Sequence, residues 1–356
     1  MKSKKIAASE LLLNADGSIY HLNLRPEELA DTVILVGDPG RVSLVAKHMT
    51  AIEFTKQSRE FVSTTGLYNG KRITVLSTGI GTDNIDIVMN ELDAIANIDF
   101  NTREIKKEKR SLTLVRIGTS GALQPEIPLG SFVLSHVSIG CDGLVNWYAN
   151  RDSVTDKEME NALVKHMNWN KNLPRPYLIK NSEKLIKLFE KKTIKGMTIS
   201  APGFFGPQGR VLRLQLAMPD MNAKFESFRS KDYKITNYEM EGSAIAGLAK
   251  EMGHEAITVC CIIANRYRKE AITDYHPYIE KLILLVLDTL TGKKVREKAA
   301  KKAERKAAKK AEKKAEKKAA KKGVNKKVGG KKPVIKKVVS KMAAKKVAVK
   351  KALRQK

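Results

Sequence analysis

The sequence predicts an α/β fold, in which a mixed, largely parallel β-sheet has helices on both faces. Short runs of β-branched and aliphatic residues, such as 33–36 and 112–117, are typical of strands buried on both sides. Longer segments, such as 276–291, have apolar residues at helical spacing. The two kinds of segment alternate along most of the chain, often with glycine turns between them. This alternation favours one layered domain.

The individual elements follow from the same patterns, with apolar runs read as strands and 3.6-residue periodicity read as helices. Strands are predicted at 33–36, 59–65, 71–78, 112–117, 131–137, 193–200 and 254–264; helices are predicted at 41 to about 49, 81 to about 98, 157–168, 182–192, 237–250 and 276–291.

The charge is unevenly placed along the 356 residues, whose formal net charge is +29. Residues 293–356 hold 29 of the 67 lysines and arginines but only 4 of the 38 acidic residues. We therefore expect a domain at 1–292 and a Lys/Ala-rich low-complexity tail at 293–356, partly helical to about Lys322 and disordered beyond it. The tail resembles the tails of histone H1.

Cysteine usage and hydropathy indicate a cytoplasmic protein. Cys141, Cys260 and Cys261 have neither a metal-ligand spacing nor a disulfide framework, which fits a reducing compartment. No apolar run reaches the length of a membrane span, and the apolar run at 6–13 is broken by Ser9 and Glu10. We expect neither a signal peptide nor a membrane association.

Two strand–glycine–helix units are candidate anion sites. Gly37-Asp-Pro-Gly-Arg41 follows the strand at 33–36, and Gly79-Ile-Gly81 follows the strand at 71–78. Backbone N–H groups at such turns can bind an anion, and Arg41 could close on the same anion. Such turns are common in α/β proteins, so each one alone is a weak indication.

An arginine in a predicted buried strand is a second candidate. Arg116 lies in the strand that ends at Gly118-Thr-Ser-Gly121, where Thr119 adds a hydroxyl. A buried guanidinium needs either an internal carboxylate partner or a bound anion, and the sequence leaves both open.

Two further stretches carry polar residues near predicted strand ends. The loop at 201–210 holds Phe204, Gln208 and Arg210 among glycines and prolines, which suits either a binding loop or an exposed turn. The stretch Asn237-Tyr-Glu-Met-Glu241 is the predicted start of an apolar helix, so its carboxylates suit either helix capping or ligand binding.

Taken together, these motifs resemble the nucleoside phosphorylase-I family, and within it the uridine phosphorylases. The resemblance covers about residues 18–291. The matching stretches are His21-Leu-Asn-Leu, Gly37-Asp-Pro-Gly-Arg41, Arg59-Glu-Phe, Ser77-Thr-Gly-Ile-Gly81, Arg116-Ile-Gly-Thr-Ser-Gly-Ala122, Gln208-Gly-Arg210, Asn237-Tyr-Glu-Met-Glu241 and Asn265-Arg266.

The resemblance implies a pentosyltransferase that cleaves uridine with inorganic phosphate in pyrimidine salvage, with deoxyuridine and thymidine as further candidates and no organic cofactor. It implies phosphate binding by Gly37, Arg41, Arg59, Arg116 and Thr119, with Arg59 reaching a neighbouring subunit's phosphate. It implies ribose binding by Met240, Glu241 and a His21 lent across a dimer. It implies base binding by Phe204, Gln208, Arg210 and Arg266, and it makes Arg41, Arg116, Gln208, Arg210 and Glu241 the catalytic set.

Base choice follows from one pair of residues. Purine-specific relatives have a Ser-Asp pair where this chain has Asn265-Arg266, and that aspartate protonates the purine. An arginine cannot serve as that acid, because its pKa lies above about 12. We therefore predict a pyrimidine preference.

The resemblance also implies a homo-oligomer, either a dimer or a trimer of dimers, with a monovalent cation such as K⁺ near Glu60 and Ile80. Asn84 stands where the resemblance leads us to expect serine, which puts the cation in doubt. Two other departures are the prolines Pro202 and Pro207 before the Gln-Gly-Arg motif and a longer lysine-rich turn at 105–111.

The basic tail supports a second class of function. A polycation of this kind binds nucleic acid without reading its sequence, or simply keeps the chain solvated. A nucleic-acid-associated protein that reuses a phosphorylase fold is therefore the alternative to an enzyme, as is a phosphorylase of broader nucleoside specificity.

Overall fold

The computed structural model describes residues 5–292, and the predicted basic tail lies outside them. The helices are α1 (Gly40–Ala46), α2 (Thr82–Asn97), α3 (Arg151–Val154), α4 (Lys157–Met167), α5 (Glu183–Phe189), α6 (Met221–Ser227), α7 (Gly242–Met252) and α8 (His276–Thr291). The strands are β1 (Thr32–Val36), β2 (Ala51–Ser58), β3 (Phe61–Tyr68), β4 (Lys71–Ser77), β5 (Ile98–Asp99), β6 (Glu104–Ile105), β7 (Thr113–Ala122), β8 (Phe132–Gly140), β9 (Tyr177–Lys180), β10 (Ile194–Ser200), β11 (Arg229–Ser230), β12 (Tyr233–Glu239), β13 (Glu255–Asn265) and β14 (Glu270–Ala271).

Twelve strands form one mixed sheet in the order β11-β12-β10-β8-β13-β7-β1-β4-β3-β2, with β9 and β14 paired to β8 and β13. The pairs β4–β1, β1–β7 and β7–β13 are parallel, whereas β2–β3 and β3–β4 are antiparallel. The predicted mixed α/β architecture is confirmed.

The sheet also closes on itself. The last residues of β12 pair with the last residues of β7, with Asn237 opposite Ala122 and Tyr238 opposite Gly121. Strands β7, β13, β8, β10 and β12 therefore form a closed ring. The closure brings the residues that follow β12 to the carboxyl end of β7, two regions more than a hundred residues apart in sequence.

Strand β1 shows why helices cover both faces. Its residues alternate between two apolar clusters: Val33 and Leu35 pack with α2 and α7, whereas Ile34 and Val36 pack with α1, α5 and α8. All five residues of β1 are buried. A strand buried on both faces reads as a continuous apolar run, and this is the pattern that predicted it.

Two differences from the predicted elements affect the site. Strand β7 does not end at Ile117 but continues through Gly118 to Ala122, because β13 pairs with it along that whole length. The stretch that begins at Asn237 starts as strand: β12 runs to Glu239, and α7 begins only at Gly242.

A third difference concerns β2, which the sequence analysis missed. It is an edge strand with mostly exposed or half-buried residues, so it lacks the apolar run that marks the other strands. Arg59 and Glu60 consequently lie in the hairpin turn between β2 and β3, where Arg59 has a φ of 53°.

Within residues 5–292, no helix is long and apolar enough to cross a membrane.

Candidate active site

A cavity of about 730 Å³ opens where β1, β7, β10, β12 and β13 end. This is the edge where ligands bind in open α/β sheets. Ten residues singled out from the sequence line it: Gly37, Arg41, Ile80, Arg116, Thr119, Phe204, Gln208, Arg210, Met240 and Glu241. His21, Arg59, Glu60, Asn84 and Arg266 are not among its lining residues.

Arg41 provides a buried cation at one end of the cavity. It lies in the first turn of α1, just after β1, and its side chain donates to the Ile117 carbonyl oxygen at 3.2 Å. Only 7% of the residue is exposed, and it forms no ion pair with any residue from 5 to 292. Burial, and then the positive charge of Arg116, lower the pKa of Arg41. A buried cation of this kind favours an anionic ligand.

Arg116 lies deeper and is paired with two carboxylates. One of its guanidinium nitrogens lies 3.2 Å from Glu239 Oε2, and another donates to Glu241 Oε2. Burial alone would lower the pKa of Arg116, but Glu241 and Glu239 raise it. The internal ion pair that the sequence left open is therefore present. Arg116 also lines the cavity, so it has internal carboxylate partners and is also placed to bind an anion.

The two carboxylates next to Arg116 have different surroundings. Glu239 accepts from the backbone N–H groups of Glu241 at 3.0 Å and Gly242 at 2.8 Å, so it caps the start of α7. Glu241 caps nothing: one oxygen accepts from the Gly81 N–H at 2.8 Å, and the other accepts from Arg116. Burial raises the pKa of Glu241, and the neighbouring Glu239 adds to the rise against the opposing effect of Arg116.

The other end of the cavity is built from Gln208 and two arginines. The Gln208 amide oxygen accepts from Arg210 at 2.8 Å and from Arg266 at 2.7 Å. A base that needs both the amide oxygen and the amide N–H of Gln208 therefore requires one arginine to release that oxygen. Arg266 therefore contacts the site through Gln208, although it does not itself line the cavity.

Phe204 and Arg210 form the outer wall of this end. The Arg210 guanidinium lies 3.6 Å from the centre of the Phe204 ring, a cation–π contact. Burial, and then the charge of Arg266, lower the pKa of Arg210 to about 10, so the side chain remains a cation at neutral pH. About half of the Phe204 surface is exposed.

Four apolar residues that also line the cavity were not predicted from the sequence. They are Ile263 and Ala264 near the end of β13 and Ala271 and Ile272 at β14. The first two belong to an apolar run that looks like any buried strand, and β14 has only two residues, so neither carried a sequence signal.

Of the residues outside the cavity, Glu60 and Asn84 contact Gly79, which lines it, whereas His21 pairs with Glu91. His21 Nδ1 lies 2.6 Å from Glu91 Oε1 and is partly exposed. Glu60 and Asn84 pack against Gly79, since a Cβ built there would lie 3.2 Å from Glu60 Cγ and 2.3 Å from Asn84 Nδ2. Residues 5–292 contain no group of three His, Cys, Asp or Glu side chains suited to a metal ion.

Comparisons with known proteins agree with this geometry. The chain is 28% identical over 275 residues to a uridine phosphorylase of Thermococcus kodakarensis, covering 75% of this chain and 84% of the relative. It is 27% identical over 263 residues to a uridine phosphorylase of Escherichia coli, covering 71% and 88%. A DeoD-type purine nucleoside phosphorylase of Buchnera aphidicola is 24% identical over 261 residues, covering 72% and 91%.

Among solved structures, a nucleoside phosphorylase of Trypanosoma brucei, described as showing uridine phosphorylase activity, superposes with a TM-score of 0.73. The two chains are 26% identical, and the match covers 79% of this chain and 99% of the other. The family model described as the phosphorylase superfamily matches residues 31–322. This match covers most of the chain, and the fold and the cavity agree with it, so the protein belongs to the phosphorylase superfamily.

Proposed function

We propose that this protein is a uridine phosphorylase, which transfers the ribosyl group of uridine to inorganic phosphate and releases uracil and ribose 1-phosphate. The observation that carries the proposal is one cavity with buried arginines and a carboxylate at one end and a Gln–Arg–Arg cluster at the other. The curated relatives at 27–28% identity that are named uridine phosphorylases support it. Deoxyuridine and thymidine are further candidate substrates.

Arg41 and Arg116 are suited to holding phosphate. Phosphate is already a nucleophile, so it needs positioning and charge stabilisation more than activation. Arg41 is buried without a carboxylate partner among the described residues, and Gly37 and Thr119 line the same region of the cavity. In this proposal, phosphate takes up guanidinium N–H groups of Arg116 that now face Glu239 and Glu241.

Glu241 and Met240 are suited to holding the ribose. Phosphorolysis builds positive charge on the sugar as the glycosidic bond breaks, and a nearby carboxylate offsets that charge. Glu241 lines the cavity beside Arg116 and does not cap α7. Each of its oxygens already accepts one hydrogen bond, from Gly81 or from Arg116, and keeps a further lone pair for a ribose hydroxyl.

Gln208, Arg210 and Arg266 are suited to a pyrimidine. A uracil edge offers carbonyl oxygens that guanidinium groups can stabilise as the base leaves with negative charge. No acid stands at Arg266 to protonate a purine, and this distinguishes the proposal from the purine activity named for the relative at 24% identity. Phe204 packs on Arg210 and would cover the base.

The direct test is phosphate-dependent release of free base from uridine, deoxyuridine, thymidine, inosine and adenosine. We expect release from uridine, none when phosphate is omitted, and a strongly reduced rate when Glu241→Gln replaces the native protein. Cleavage of inosine much faster than uridine would show that the base assignment is wrong.

We further propose a cytoplasmic homo-oligomer, a dimer or a trimer of dimers, in which His21 and Arg59 complete a neighbour's site. Both residues lie outside the cavity of their own chain, which supports this arrangement. If this arrangement is correct, the variants Arg59→Ala and Arg116→Met, each inactive alone, recover activity when mixed subunits reassemble.

A K⁺ ion near Glu60, Ile80 and Asn84 would appear as activation by KCl relative to tetramethylammonium chloride at equal ionic strength.

The division at residue 292 and the role of the tail remain predictions from charge. We expect a chain that ends at residue 292 to keep full phosphorolysis and to lose salt-dependent binding to DNA. An inactive full-length protein that binds DNA would favour the nucleic-acid-associated alternative.

A further inference from the structure

Two glycines of β7, Gly118 and Gly121, have no positive φ that would require glycine. Gly118 pairs with Cys260 of β13 in regular register, and Gly121 pairs with Ala264 next to a register shift in β13 between Ile262 and Ala264. Glycine inside a strand costs roughly 0.5–1 kcal/mol relative to alanine. The sequence predicted that the strand ends at these glycines, but β7 continues through both. The space that a side chain would occupy is therefore the remaining explanation.

At Gly118 that space is filled by Arg116. Residues two apart in a strand share a face, and the Arg116 side chain folds back over Gly118. A Cβ at residue 118 would lie 2.0 Å from Arg116 Nη1 and 2.9 Å from Arg116 Cζ, far inside contact distance. It would also lie 2.8 Å from Cys260 Sγ, so the guanidinium and the thiol together enclose the position.

At Gly121 the neighbour is Arg266. A Cβ at residue 121 would lie 3.1 Å from Arg266 Nε, which is tighter than ordinary contact but far less severe than at Gly118. Strand β7 thus has one glycine, Gly118, packed against Arg116 at the phosphate end. A second glycine, Gly121, is packed against Arg266 at the base end.

We infer that Gly118 and Gly121 are positioning residues: Gly118 holds Arg116 at the depth where it faces both phosphate and Glu241, and Gly121 holds Arg266 against Gln208. The assignment of the two ends rests on the proposed function. The atoms within 3.2 Å of these Cβ positions belong to the side chains of Arg116, Cys260 and Arg266 and not to the backbone, so a methyl group displaces these side chains before it displaces a strand.

Gly118→Ala is the first test. We expect a folded protein whose kcat/KM falls on the order of 100-fold, because a shift of about 1 Å in a positioning group can cost that much. The loss should appear in the KM for phosphate and in the phosphate Kd measured by calorimetry, with the KM for uridine little changed. Equal effects on both substrates would overturn the assignment of Gly118 to the phosphate end.

Gly121→Ala is the matched variant on the same strand. We expect a smaller loss, in the KM for uridine and not in the KM for phosphate, because the neighbouring Arg266 has to move by only a few tenths of an ångström. An effect of Gly121→Ala on phosphate that equals that of Gly118→Ala would mean that strand β7, not the two arginines, responds to the added methyl groups.

A combined variant separates positioning from folding. Arg116→Lys removes Nη1 and Cys260→Ala removes the thiol, so Gly118→Ala should cost little in a background that carries both changes, whereas independent effects would add. If Gly118→Ala alone fails to fold, the same background should restore folding. An undiminished cost, or no rescue, would overturn the inference.

Calorimetry keeps this inference distinct from the proposed function. If the native protein binds phosphate but cleaves no nucleoside, the function is wrong, yet a phosphate Kd that weakens only in Gly118→Ala still supports the role of Gly118. A Kd that Gly118→Ala leaves unchanged overturns that role even in an active enzyme.

Discussion

The phosphate and sugar end of the cavity lies on strands and a helix start, whereas the base end lies largely on a loop. Arg116, Glu239 and Glu241 are almost fully buried, and the Arg116 guanidinium pairs with both carboxylates. Phe204 and Arg210 lie on a loop with exposed apolar neighbours such as Leu212 and Leu214. We expect substitutions at the first end to change stability and activity together, and substitutions at the second to change activity alone.

Arg116→Met is the strongest test of that contrast. It leaves Glu239 and Glu241 as neighbouring buried carboxylates without their cation, and breaking one partner of a buried pair costs about 3–5 kcal/mol. We expect that loss in urea unfolding, together with loss of phosphorolysis. Normal stability in this variant would mean that the two carboxylates do not depend on Arg116, and the contrast between the ends would fail.

Glu241→Gln and Glu239→Gln divide the first end further. Glu241→Gln should lower kcat/KM by about 100- to 1000-fold, the range for loss of one electrostatic partner of a transition state. It should also lower stability, within the roughly 0.5–3 kcal/mol range of single substitutions, because it removes the charge that pairs with Arg116. Glu239→Gln weakens the cap of α7 and should cost about 1–2 kcal/mol of stability, with a smaller loss of activity. Kinetics and urea unfolding of both variants check this. The same effect from both would show that the carboxylates share one role.

How much of this could be predicted from the sequence depends on the range of the contacts. The strand at 33–36 and the helix at 276–291 were predicted well, because burial on both faces and helical periodicity are local patterns. Local patterns singled out Arg41, Arg116 and the loop at 201–210 as candidates, but the role of each residue around the cavity came only from motifs that resemble a family. The ion pair between Arg116 and Glu241 joins residues 125 positions apart, and it depends on the closure of β12 onto β7, which no local pattern reveals. Strand β2 was missed because its polar edge looks like a loop.

The base end should respond differently. Arg210→Met keeps the apolar stem but removes the guanidinium that holds Gln208 Oε1, so we expect the KM for uridine to rise about tenfold. Stability should change by less than about 1 kcal/mol, because the side chain is partly exposed. Arg213→Met, an exposed arginine on the same loop, is the control and should alter neither. A large loss of stability in Arg210→Met would place the base end in the rigid part of the protein.

The smallest effect that we predict concerns Asp142, which accepts from Ser243 in the first turn of α7. It tests whether the rigid packing of the phosphate and sugar end extends as far as Asp142. Asp142 accepts from the Leu144 N–H at 2.7 Å, the Tyr177 hydroxyl at 2.9 Å and the Ser243 hydroxyl at 3.0 Å, and it pairs with no cation among residues 5–292. Burial raises the pKa of Asp142 above its ordinary value, against the lowering effect of these hydrogen bonds. Folding therefore disfavours the charged form of Asp142. The stability that protonated Asp142 contributes is present at low pH and is lost as the pH rises through the folded-state pKa.

Asp142→Asn removes that charge at every pH. The stability of the variant relative to the native protein should therefore increase from pH 4 to pH 7, as measured by urea unfolding at each pH, within the roughly 0.5–3 kcal/mol range of single substitutions. Asp152→Asn is the control, because hydrogen bonds from Lys157 and Arg151 lower the pKa of Asp152. The stability that its charge contributes is lost only as the pH falls below the unfolded-state value, so the stability of this variant relative to the native protein should change little from pH 4 to pH 7. Parallel slopes for the two variants would show that water reaches Asp142, and the rigid region would then end at Glu239.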